Sequence, residues 1–133
     1  MFDSKKKKAL NVSELGYQVL SPCFHIVRSQ NNNVIPEVML RDKLVLGYMT
    51  GVFLKIWASS GIDIQSRHYD LSLETYFSNF FPSKGAEIVD YCSSITKQPE
   101  FKRSVSLGAE ECEKIFSGTF ENNQLTEHFL KNY

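Results

Sequence analysis

The sequence predicts an all-α fold: a single-domain bundle of five to six helices around one buried helix at about residues 37–59. Three observations carry this expectation. Apolar residues recur at three- and four-residue intervals along most of the chain, which is the period of an amphipathic helix. The segment Leu44 to Trp57 is apolar on nearly every face, as suits a helix enclosed by others. Strand signals are weak throughout, and the turn residues leave the short connections that helix bundles require.

The 133 residues suit one domain, and a chain of this length buries roughly two thirds of its unfolded surface on folding. A core can therefore form without metal or disulfide. The apolar fraction is 42% and the aromatic fraction 13%, away from the disordered range. Lys plus Arg equals Asp plus Glu at 15 each, which argues against a nucleic-acid protein working through a broad basic field. Cys23, Cys92 and Cys112 are an odd, scattered set, read as reduced thiols of a cytoplasmic protein. No apolar stretch suits a secretory signal, and Leu44 to Trp57 is too short to span a bilayer.

The elements follow in order. Residues 1–9 are expected to be a flexible basic tail, because the like charges of Lys5 to Lys8 repel; the helical domain is placed at 10–133. Asn11 with Glu14, flanked by Leu10 and Leu15, reads as a capped and stapled helix start. Val12, Leu15, Val19, Cys23, Ile26 and Val27 continue it, and Pro22 is expected to kink it. The rival reading ends the helix near Leu20 and makes residues 24–28 a strand. Pro36 and Glu37 open the central helix and Gly61 stops it. Ser72 is read as the cap of a third helix ending before Pro82, Ser83 as the start of a fourth, Pro99 to Gly118 as a fifth, and Asn123 as the cap of the last.

Motifs for chemistry are absent. No nucleophile elbow, phosphate-binding loop or zinc-protease helix occurs, and no catalytic residue, cofactor or metal is expected. Cys92 and Cys112 lie on apolar stripes, where cysteine serves as a small hydrophobe. Cys23 and His25 could ligate a metal jointly only on a strand, where they would share a face. Gly47 and Gly51 share one helix face and admit a close backbone, either within the chain or from a second copy. Tyr76, Phe77, Phe80 and Phe81 crowd four rings onto one short helix. They are either core or, on one stripe, a contact surface.

The functional expectation is a non-catalytic, self-associating protein-interaction module with Gly47, Gly51, Tyr76, Phe77, Phe80 and Phe81 as interface candidates. The alternative is a small-molecule-binding protein with an apolar pocket between helices, lined by Tyr48, Phe53, Trp57 and Phe77. A helical DNA-binding regulator, supported only by Lys102-Arg103 ahead of a short helix, is a thinner third reading.

Overall fold

A computed structural model describes residues 4–63, 67–116 and 123–133 of the chain. Among the described residues, six α-helices form the bundle: α1 (Ser4–Gln30), α2 (Lys43–Ser60), α3 (His68–Phe80), α4 (Gly85–Ile95), α5 (Pro99–Phe116) and α6 (Gln124–Asn132). Among the described residues, a 3-10 turn, Glu37–Arg41, precedes α2 and no strand occurs. The all-α expectation and the buried central helix are both met.

Helix α1 starts earlier than the expected cap. Its lysines stay exposed, but Ala9 is fully buried and its carbonyl accepts a hydrogen bond from the Ser72 hydroxyl. Residues 4–9 are therefore helix rather than tail, and Asn11 lies inside it. Pro22 also lies inside α1, which continues to Gln30. The rival strand at 24–28 does not form, since Phe24 and Val27 are buried on the helix face. Asn32 and Asn33 then take positive φ values of 57° and 64°, and the Asn33 N–H closes the helix end on the Arg28 carbonyl at 2.7 Å. Asparagine enters this left-handed region more easily than most side-chain-bearing residues.

The central helix begins at residue 43, not 37. Asp42 accepts hydrogen bonds from the N–H groups of Leu44 (3.1 Å) and Val45 (3.2 Å), satisfying donors that a helix start leaves orphaned. Residues 37–41 wind more tightly and bury Met39. Gly61 ends α2 at φ 77°. Ser72 proves to be a buried residue of α3 rather than its cap. Ser83 stands in the preceding turn at φ 68°, and α4 starts at Gly85. Pro99 opens α5 as expected. Gly118 lies outside the described residues. Asn123 caps α6 by accepting from the Thr126 N–H at 2.8 Å.

Helices α2 and α5 run parallel and almost touch. Their matched pairs advance together, Leu44 with Ser104, Tyr48 with Glu111 and Lys55 with Glu113. Three glycines make this possible. A Cβ on Gly51 would collide with the Val105 carbonyl, and one on Gly108 with the Tyr48 carbonyl. A Cβ on Gly47 would stand 2.8 Å from the Ser104 Cβ and 2.9 Å from the Phe101 carbonyl oxygen.

Helix α3 is enclosed by its neighbours. Tyr76 lies over Gly16 of α1, where an added Cβ would sit 2.5 Å from the ring. It packs on Phe53 of α2 at 5.2 Å between centroids and donates its hydroxyl to the Met49 carbonyl at 2.7 Å. Phe80 meets Tyr17 and Phe24 of α1 at 5.0 and 4.7 Å. Phe77 and Phe81 are buried as well. Neither ring stripe of α3 is left facing outward.

The α2–α5 contact generates a direct test. Gly51→Ala or Gly108→Ala forces two backbones apart, and such overpacking costs roughly 1–3 kcal/mol. Urea denaturation should show a clearly lowered midpoint for each variant. An unchanged midpoint would mean that the helices are not in backbone contact.

Candidate functional site

The sequence-derived candidates all fall in the interior. Tyr76, Phe77, Phe80 and Phe81 are core residues of the single chain. Gly47 and Gly51 face α5 within the same chain, not a second copy. Tyr48, Phe53 and Trp57 are fully or almost fully buried; they fill the core and line none of the surface grooves described below. The indole N–H of Trp57 has no acceptor among the described residues.

The thiols are poor nucleophiles. All three are free and buried. Burial pushes Cys92 up to about 12 against a hydrogen bond with Thr50, and Cys112 up to about 11 against the attraction of Lys55. Burial also raises Cys23, outweighing hydrogen bonds with Thr126 and Asn123. A thiol reacts as its thiolate, so none is armed at neutral pH. Cys23 is buried and His25 exposed on the same helix, which removes the joint-ligand arrangement. No group of three or more metal-ligating side chains occurs among the described residues.

Two polar clusters anchor α6. Glu111 is buried on α5, and one of its oxygens accepts from the Tyr48 hydroxyl and from the Gln124 N–H, both at 2.8 Å. The second bond places a carboxylate at the start of α6, where the helix dipole favours negative charge. Burial, followed by the neighbouring Glu111 carboxylate, keeps the Tyr48 phenol protonated. The other cluster centres on Asp42. Its Oδ1 caps α2, while Oδ2 accepts from His128 Nε2 at 2.8 Å and the Tyr133 hydroxyl at 2.7 Å. Asn132 Nδ2 lies 3.2 Å from the other ring nitrogen of His128. A carboxylate-oriented histidine is half of a general-base arrangement. Both ring nitrogens here meet Asp42 or Asn132, not a nucleophile, so the cluster serves as an anchor.

Among the described residues, the grooves that open at the surface include three of about 400 Å³ or more. One, of about 400 Å³, runs between α1, α2 and α5 over Val12, Ile56 and Cys112. Leu15 and Phe116 border it, and they are 37% and 53% exposed. Lys8, Lys55 and Glu113 stand at its rim, with Lys55 and Glu113 paired at 3.4 Å. A second, of about 410 Å³, lies beside the 3-10 turn along Val34, Ile35, Leu40 and Pro82. The third, of about 540 Å³, separates α4 from α2 and α5. Sequence periodicity could not reveal these grooves, because they depend on how far each helix is held from the next. Leu15 reads in the sequence as part of an inward-facing stripe, and its exposure appears only in the structure. Among the described residues, no helix is long and apolar enough to cross a membrane.

Two measurements test these assignments. In Asp42, burial opposes the charge, but hydrogen bonds from His128, Tyr133 and the Val45 N–H outweigh it and hold the folded pKa below the ordinary carboxylate value. The unfolded state then binds the proton more readily. The stability from Asp42 is complete above about pH 4 and is lost as pH falls through the folded pKa. Denaturant midpoints from neutral to acid pH should fall less steeply for Asp42→Asn, which should also start lower at neutral pH. For the cysteines, a thiol reagent at neutral pH should label the native chain slowly and reach three thiols once it is unfolded; fast native labelling would contradict the burial.

Comparison with known proteins returns no match: no family model, no curated protein and no solved structure matches the chain.

Proposed function

We propose that this chain is a non-catalytic, self-associating helical interaction module whose contact face is the groove between α1, α2 and α5. One observation carries the reading: Leu15 and Phe116, two large apolar side chains left exposed, border the same apolar-floored groove. Water pays no compensating interaction to such a surface, and contiguous exposed apolar patches on monomers usually mark contact sites.

The rim supports a second copy as the occupant. It carries both signs of charge, with Lys8 on α1 and Glu113 on α5. In a two-fold pairing, residue i of one copy meets j of the other and j meets i. Lys8 can then face Glu113 across the axis at both edges, while Leu15 and Phe116 close over the two floors. The buried thiols, and a histidine bonded to two anchoring residues, fit a binding role better than a catalytic one.

Light scattering after gel filtration should show a dimer at micromolar concentration. The double variant Leu15→Glu, Phe116→Glu should be monomeric yet unfold at nearly the parent temperature, because surface changes usually alter stability by no more than about 0.5 kcal/mol. Lys8→Glu should weaken the dimer, and adding Glu113→Lys should restore it. A monomeric parent chain, or a double variant that still dimerises, would overturn the reading.

A further inference from the structure

The geometry points to a second binding site, independent of the self-association face: the cavity between α2, α3, α4 and α5 binds an elongated apolar carboxylate, of the medium-chain fatty-acid class, with its head group on Lys102. No residue lines both this cavity and the α1–α2–α5 groove.

The cavity follows from the packing. Helices α2 and α5 meet backbone to backbone, while α4 is held elsewhere. Its Gly85 end fits against α3, where an added Cβ would strike the Glu74 carbonyl, and its Tyr91 ring lies under the Arg41 guanidinium at 4.5 Å. The space left between α4 and the α2–α5 pair is about 540 Å³, within the roughly 300–1,000 Å³ of small-molecule sites.

The walls select the body of the ligand. Leu54, Leu73, Val89, Phe101 and Val105 present hydrocarbon. Three wall hydroxyls donate inward to carbonyls of their own helices: Thr50 to Leu46 at 2.7 Å, Ser93 to Val89 at 3.0 Å and Thr96 to Cys92 at 2.9 Å. Their donors are therefore already committed. The Cys92 thiol, held protonated by its burial, offers a polarizable contact rather than a covalent bond.

The charges select the head and its direction. Lys102 and Asp70 are the two charged residues lining the cavity, and neither takes part in an ion pair among the described residues. They stand towards opposite ends of it. The carbonyl of Phe101, next to Lys102, lies against Gly47, whereas Tyr69, next to Asp70, packs on Trp57 at 5.2 Å. At 1.5 Å per residue, the α2 stretch from Gly47 to Trp57 spans ~15 Å. A carboxylate is attracted to the Lys102 end and repelled from the Asp70 end, so its tail points towards Tyr69 and Leu73. The ammonium moves on a flexible stem and can follow the head group to the cavity mouth.

Trp57 is the one tryptophan of the chain and, through Tyr69, reports on the cavity. Titration of the full chain with laurate below its micellar concentration should change the Trp57 emission saturably at one site. Dodecylamine, with the same chain and the opposite charge, should bind at least about tenfold more weakly. Lys102→Met, at an exposed position, should lose about tenfold in laurate affinity, the usual scale for one charge-assisted hydrogen bond. Ser93→Phe should fill the cavity and abolish binding by calorimetry while circular dichroism stays helical. The Leu15→Glu, Phe116→Glu variant should bind laurate like the parent, whatever its oligomeric state. Absence of saturation, equal affinity for the amine, or undiminished laurate binding in either Lys102→Met or Ser93→Phe would overturn the proposal.

Discussion

The fold rests on one close approach. Helices α2 and α5 come together until the carbonyls of Tyr48 and Val105 fill the places where Gly108 and Gly51 would carry side chains. Backbone contact of this kind gains dispersion over a long, flat surface, and it lets the Ser104 hydroxyl reach the Leu44 carbonyl. Because the two helices are parallel, the chain must travel back along the bundle between them. Helices α3 and α4 make that return. One is pressed between α1, α2 and α4 and becomes core; the other caps the edge and leaves a gap beneath it.

What was legible in the sequence was whatever depends on local chemistry or on one helix's own pattern. The all-round apolar character of Leu44 to Trp57 identified the central helix. Gly61, Pro99 and Asn123 marked ends correctly because their φ preference, missing N–H and side-chain oxygen act within a turn. The errors came from partners distant in sequence. The lysine run reads as a solvated arm, yet Ala9 is buried against Ser72 of α3, and burying the next turn holds the preceding residues helical. The cap at Asp42 was hidden because apolar residues continue on both sides of it. Two stripes of rings on α3 look excessive for a helix with a single neighbour, whereas this one has three; Gly16 makes room for Tyr76 in a way that periodicity does not show. The grooves were illegible for the same reason, since a gap between helices is a property of pairs.

Electrostatics enters this structure mainly as fastening. Glu111 and Asp42 are buried or half-buried carboxylates, and both are directed at α6: one through the Gln124 N–H, the other through His128 and Tyr133. A carboxylate moved out of water loses solvation unless donors replace it, and here phenolic, imidazole and backbone donors do so. The last helix is short and carries few core residues, notably Leu125 and Phe129. Directed hydrogen bonds fix its orientation where apolar burial alone would allow it to roll.

The parallel pairing of α2 and α5 also bears on how the chain finds its shape. Ser104 and Leu44 are 60 residues apart, and Tyr48 and Glu111 are 63 apart. An up-and-down bundle would instead pair neighbours in sequence and close only short loops. Closing a long loop loses chain entropy before any contact repays it, and folding rates fall as the mean sequence separation of contacts grows. Helix α2 meets α1, its neighbour in sequence, across a short loop, whereas the seam closes only over the whole of the intervening α3 and α4. In kinetic terms, the entropy lost in closing this loop lowers the folding rate below that of an up-and-down bundle of the same length.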